Sequence, residues 1–128
     1  MRYLSLFSGI ETATNAWHPL GWEPVAFSEI EPYPCAVLAS RFPSVPNLGD
    51  VTAITEALVK SLGRIDLVVF GSPCQDLSVA GKRRGLLDVE GNITRSGLFF
   101  DAINIAHWAR KHCGCRFALW ENVPGAFS

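Results

Sequence analysis

Two kinds of segment alternate along the chain. Tyr3 to Phe7, Pro24 to Ser28, Ile65 to Phe70 and Arg116 to Trp120 are short runs rich in Val, Leu, Ile and Phe. Near-continuous apolar runs of this length predict strands buried on both faces. Between them, Glu11 to Leu20, Pro34 to Arg41, Ile54 to Leu62 and Leu98 to Lys111 carry apolar residues at helical spacing. The second helix holds Ala36, Leu38 and Ala39 and stops before Pro43. Thr52 is the expected N-cap of the third helix, and Gly63 its end. This alternation predicts a mostly parallel sheet covered on both faces, an α/β fold of Rossmann type. The chain shows no repeat, low-complexity tract or interdomain linker. Its one long irregular stretch runs from Ser72 to Ser96, and such loops in compact domains tend to carry function or to move.

The polar and special residues fall in step with this pattern. Ser8-Gly9 follows the first strand, Glu29 the second, Gly71-Ser72-Pro73-Cys74 the third and Glu121-Asn122 the fourth, while Gly49-Asp50 precedes the third helix. Nearly all stand at carboxyl ends of strands, where open α/β sheets place their ligands. Turns also collect Ser, Gly, Asp and Asn for conformational reasons alone; it is the set of five that points to a site.

Composition narrows the class. The 128 residues suffice for one domain. With 48% hydrophobic and 18% charged residues the chain can bury a core and is not disordered. A net charge of −1 is far from the basic excess of proteins that hold DNA alone, which argues against a complete DNA-binding enzyme. No apolar run approaches the roughly 20 residues of a membrane span. The N-terminus reads as a strand rather than a signal peptide. Cys35, Cys74, Cys113 and Cys115 are irregularly spaced, so reduced thiols and an intracellular, cytoplasmic setting are expected.

Phe7-Ser8-Gly9-Ile10 joins a strand to a helix, and its glycine lets backbone amides approach a ligand. It is not GxGxxG, so a dinucleotide has little support. Glu29, about twenty residues on, can accept from ribose hydroxyls or be a solvated strand end. Asp50 can bond an adenine amino group or cap a turn. Cys74, just past a buried strand in a polar loop, is placed to act as a nucleophile. Its thiol must ionise, and Lys82, Arg83 and Arg84 can supply the field. Cys35, on the apolar face of the second helix, fits a structural role. Position alone leaves Glu121 open between an exposed loop glutamate and a carboxyl tuned to hold a proton near neutral pH. Cys113-Gly114-Cys115 with His107 and His112 lacks a second cluster to complete a tetrahedral set, and reads as a turn rather than a metal site.

Together, Phe7-Ser8-Gly9-Ile10, Gly71-Ser72-Pro73-Cys74-Gln75-Asp76-Leu77-Ser78 and Glu121-Asn122-Val123-Pro124-Gly125 resemble the ordered motifs of the DNA cytosine-5 methyltransferases. Glu29, Gly49-Asp50-Val51-Thr52 and Gly97-Leu98-Phe99-Phe100 match intervening motifs, so the resemblance runs from Tyr3 to the last residue. It implies a truncated, Rossmann-like class I methyltransferase fold with S-adenosylmethionine as cofactor. Cys74 would add to C6 of a cytosine flipped out of double-stranded DNA, Glu121 would share a proton at N3, and C5 would then accept the methyl group. Phe7, Ser8, Gly9 and Ile10 would border the methionine part. Glu29 would hold the ribose beside Ile30, Asp50 and Val51 would contact adenine, and Ser72, Pro73 and Leu98 would line the pocket. Gln75 would support the nucleophile and Asn122 would orient the Glu121 loop. Ser78, Lys82, Arg83, Arg84 and Arg95 would lie on a loop closing over DNA. Two departures stand out. The family's turn usually continues with glycines after Ile10, where this chain has Glu11-Thr12. The later family elements, including the target-recognition domain, are absent from residues 1–128. The expected unit is thus a partial catalytic domain, completed by a second polypeptide or a further C-terminal part. A catalytically silent remnant and a tRNA-directed relative remain the alternatives.

Overall fold

A computed structural model describes residues 1–71 and 95–121. Its four strands are β1 (Arg2–Leu6), β2 (Glu23–Ser28), β3 (Leu67–Phe70) and β4 (Phe117–Trp120), all parallel, in the order β2-β1-β3-β4. The helices are α1 (Thr12–Trp17), α2 (Pro32–Arg41), α3 (Glu56–Ser61) and α4 (Phe99–Cys113). The chain moves outward from β1 to β2, then returns to the other side of β1 to lay down β3 and β4. The sheet therefore changes direction between β1 and β3, and a crevice opens at the carboxyl ends of strands at such a reversal.

One core holds these elements together. Leu4, Leu6, Ala26, Val68 and Phe70 of the sheet are buried with Val59 of α3 and Ala102, Ile105 and Ala109 of α4. Ala102, Ile105, Ala109 and Cys113 recur at helical spacing, which turns one face of α4 inward. Asp101 lies in the first turn of α4, and Arg110, Lys111 and His112 lie in the last, both favourable to the helix dipole. Gly114, at φ 73°, ends the helix in the left-handed conformation that glycine adopts without strain.

Several boundaries differ from those expected. The first helix is α-helical only to Trp17 and tightens into a 3-10 turn over His18–Leu20, because Pro19 has no N–H to continue the ladder. The second begins at Pro32 rather than Pro34, with proline at its start where no donor is needed. Thr52 does not cap the third helix: Val51–Ala53 is a separate 3-10 turn capped by Asp50, and the backbone extends again at Ile54. Thr55 then caps α3, its side chain accepting from Leu58 N. β1 is almost wholly buried, whereas β4 is not: Phe117 is 56% and Leu119 48% exposed. β4 forms one edge of the described sheet, and the expectation of burial on both faces fails there, whereas the last residues of β2, the other edge, are buried.

Candidate active site

The register of the sheet assembles the site. Leu6 pairs with both Ser28 and Phe70, and Phe70 pairs with Trp120. The next residue of each strand is therefore Phe7, Glu29, Gly71 and Glu121, and these four leave the sheet abreast. The adjacency of β3 and β4 brings Glu121 beside Gly71: Glu121 N donates to Phe70 O at 3.0 Å. A Cβ on Gly71 would come within 3.1 Å of Glu121 Oε2, so glycine makes room for that carboxyl. A cleft of about 330 Å³ opens here, lined by Phe7, Ser8 and Glu11 on one side and Phe70, Gly71, Leu119 and Glu121 on the other.

The turn after β1 is tightly wound. Phe7 and Glu11 have positive φ (54° and 66°), as does Gly9 (57°). Left-handed backbone costs a non-glycine residue about 1–3 kcal/mol and persists only where its surroundings impose it. Ser8 is pinned from several directions. Its N donates to Ser28 O at 3.1 Å, its Oγ donates to Ser5 O at 2.9 Å, and the same Oγ accepts from Ser28 N at 3.3 Å. Glu11 occupies a position where the resembling family usually has glycine, and it keeps a glycine-like backbone. Its carboxyl compensates locally: Oε1 accepts from Thr14 N at 3.1 Å and Oε2 from Ser5 Oγ at 2.7 Å. The side chain is 1% exposed, and burial pushes its pKa above the usual carboxylate value, partly offset by those hydrogen bonds. Sequence reasoning passed over Glu11 as a departure; its one available signal was a charged residue where a turn favours glycine.

Glu29 lies at the end of β2 with its carboxylate already engaged. Oε1 accepts from Gly9 N at 2.8 Å, and Oε2 from Ile30 N at 2.9 Å and Glu31 N at 3.0 Å. A carboxylate offers about four acceptor positions, which leaves one on Oε1. Asp50 Oδ1 accepts from Thr52 N and Oγ1, at 2.9 and 2.8 Å, which holds its pKa below the usual range. Oδ2 has no hydrogen-bond partner among the described residues. Asp101 at the start of α4 lies close enough to feel Asp50: burial raises its pKa, and the Asp50 charge raises it further.

Of the other expected residues, Ile10 and Ile30 are large apolar side chains left 48% and 59% exposed, as rims for an apolar ligand would be. Val51 is instead buried in the core, and Leu98 packs partly buried against it. Arg95 belongs to the 3-10 turn Arg95–Leu98. Ser72, Pro73, Cys74, Gln75, Ser78, Lys82, Arg83, Arg84 and Asn122 lie outside the described residues. Cys113 and Cys115 donate their thiols to the Val59 and Phe117 carbonyls, each at 3.3 Å, and burial raises both pKa values. His112 Nε2 lies 2.7 Å from Glu56 Oε1. No helix among the described residues is long and apolar enough to cross a membrane.

A family model described as C-5 cytosine-specific DNA methylase matches residues 1–128. The chain belongs to that family. Among similar proteins, a type II methyltransferase of Bacillus subtilis is 38% identical over 97% of this chain and 29% of its own length. A protein of Escherichia phage P1, named a DNA N-6-adenine-methyltransferase, is 43% identical over 98% of the chain and 17% of its own length. The crystal structure of a Dnmt2 methyltransferase from S. pombe superimposes with a TM-score of 0.70 at 22% identity, over 98% of this chain and 37% of that one. It shows a shared fold. The chain thus spans well under half the length of these relatives. Family and fold imply the use of S-adenosylmethionine.

Proposed function

We propose that this methylase chain carries the cofactor site and catalytic pair of a DNA cytosine-5 methyltransferase, with Cys74 as nucleophile and Glu121 as proton partner. The observation that carries this reading is the register that sets Phe7, Glu29, Gly71 and Glu121 abreast at one end of the sheet. Cys74 follows Gly71 by three residues in the chain. Its thiolate adds to C6 of cytosine, and Glu121 holds a proton at N3 so that the ring accepts the electron pair. The enamine formed makes C5 nucleophilic. S-adenosylmethionine, when bound, supplies an electrophilic methyl group on its sulfonium. Loss of the C5 proton then drives elimination of Cys74. The base must leave the duplex for both residues to reach it, at a cost of a few kcal/mol.

The residues present fit that cofactor. Phe7 to Ile10 border its methionine end, and Glu29 offers its remaining acceptor position to the ribose beside Ile30. Asp50 would offer Oδ2 to the adenine amino group, Leu98, Ser72 and Pro73 would line the pocket, and Val51 would back it from the core. Gln75 and Asn122 support the two catalytic loops. Contacts to the phosphates of double-stranded DNA are assigned to Ser78, Lys82, Arg83, Arg84 and Arg95 by the family resemblance. The exposed β4 edge supports completion by a further part of the methylase, on a second polypeptide or a longer chain. The setting is the cytoplasm of a bacterium or phage host.

DNA carrying 5-fluorocytosine tests the chemistry, because fluorine cannot leave and the adduct persists. A trapped complex linked through Cys74 is expected, and Cys74→Ser should abolish it; equal trapping by the serine variant would overturn the assignment. The adenine-directed name of the phage P1 relative makes product analysis decisive as well. Digested DNA should contain 5-methylcytosine, and N6-methyladenine in its place would reject the reading.

A further inference from the structure

One side chain joins Glu29 to the turn that carries Asp50. Asn47 forms an isolated parallel bridge to Phe27. Phe27 N donates to Pro46 O at 2.9 Å and Leu48 N donates to Phe27 O at 2.7 Å, so residues 46–48 run alongside β2 and deliver Asn47 to its end. There its Oδ1 accepts from Glu29 N and Gly49 N, both at 3.0 Å. Its Nδ2 donates to Glu29 O at 3.2 Å and Cys35 Sγ at 3.3 Å. An asparagine amide has two donors and two acceptor lone pairs, and all four are used. The orientation is fixed as well, since a flipped amide would face two backbone donors with its own NH2. An exposed side chain that forgoes water for four protein partners is holding backbone in place.

We propose that Asn47 is the positioning residue of the cofactor site, setting the Glu29 peptide against Gly49-Asp50 and, through the Glu29 carboxylate, fixing the Gly9 turn. The relay is continuous: Asn47 grips both ends of the Glu29 backbone, and Glu29 Oε1 accepts from Gly9 N at 2.8 Å. A second tie, from Ser28 Oγ to Gly49 O at 2.7 Å, crosses between the same two turns. Loss of Asn47 therefore loosens the arrangement without unfolding it. The cofactor role rests on Glu29 and Asp50 being the ribose and adenine ligands proposed above, whereas the relay does not.

Amide hydrogen exchange on the ligand-free chain tests the relay. Asn47→Ala should speed exchange about tenfold at Glu29, Gly49 and Gly9, leaving Ala26 and Val68 of the strands unchanged. Asn47→Asp, which keeps an acceptor for both amides, should restore Glu29 and Gly49. Calorimetry with S-adenosylhomocysteine tests the role. Asn47→Ala should weaken binding about tenfold, the loss expected for a hydrogen-bonded group, and Asn47→Asp should recover most of it. In a Glu29→Ala/Asp50→Ala background the Asn47→Ala loss should vanish, which a merely structural residue would not show. Unchanged Gly9 exchange, or undiminished binding by Asn47→Ala, overturns the proposal. A wild-type chain that shows the exchange pattern but binds no S-adenosylhomocysteine overturns the ribose-and-adenine reading, and the cofactor role with it.

Discussion

Glu11 places an ionisable group where a charge is costly and a backbone is strained, and its hydrogen bonds decide what it tolerates. Burial raises its pKa from an ordinary value of 4.5, so the protonated form is favoured by folding. The sign follows: the stabilising contribution is complete below pH 4.5 and is lost as pH rises through the raised folded value. Glu11→Gln can still accept from Thr14 N and can donate to Ser5 Oγ, without a charge. Urea midpoints across pH 4 to 8 should show the glutamine variant gaining on the wild type as pH rises, and parallel curves would reject the account. Gly71 raises a matter of space rather than charge. A methyl group there meets the end of the Glu121 side chain at 3.1 Å, and that end can swing aside. Gly71→Ala should therefore leave folding and S-adenosylhomocysteine affinity nearly intact while lowering the methyl-transfer rate at least about tenfold, a loss in the range typical of removing general acid–base assistance. Rate and affinity falling together would place Gly71 in the cofactor site instead.

Two consecutive capping events, rather than one, build the approach to α3. Asp50 accepts from Thr52 N, and Thr55 accepts from Leu58 N. Thr55→Ala should cost about 1 kcal/mol in chemical unfolding, the usual worth of a helix N-cap. Thr52→Val should cost less, but should let the Asp50 pKa rise, because the Thr52 hydroxyl is the main cause of its depression. A larger loss at Thr52 than at Thr55 would restore the boundary expected from sequence. That boundary was misread because Asp50, Thr52 and Thr55 are all competent caps, and nothing local says the backbone extends again at Ile54. The strands were legible because parallel strands buried on both faces leave continuous apolar runs, and β1 and β3 are such strands. The same rule fails at β4, whose composition resembles its neighbours while its position at an edge is a tertiary fact. In the candidate site, Glu29 and Glu121 stood out because strand ends in this fold are privileged positions, and Asp50 because it follows a glycine ahead of a predicted helix. Asn47 could not, since its role lies in bonds to residues eighteen positions back and two ahead.

At the scale of the molecule, the reversal between β1 and β3 opens one crevice for the proposed cofactor and catalytic residues, and the same topology leaves β4 at an edge of the described sheet. Phe117 and Leu119 are about half exposed there, on a strand whose one described neighbour, β3, is largely buried. Phe117 and Ala118 also line a groove with Ile103, Ala106 and Arg110 of α4. Covering half of a large apolar side chain is worth about 1 kcal/mol, so two of them give a modest but measurable handle on assembly. If the remainder of a methylase packs against this edge, Phe117→Ser with Leu119→Ser should cost the isolated chain only about 1 kcal/mol per residue, the worth of the half that each side chain already buries. The same pair should lower methyl transfer by the completed enzyme at least about tenfold, and recovery on raising the concentration of the completing part separates lost assembly from damage to the cleft that Leu119 also lines. Transfer undiminished by the double substitution would show that this face stays open to water in the working enzyme. The reading of β4 as the seam of a larger sheet would then fail, while the site at the strand ends would be untouched.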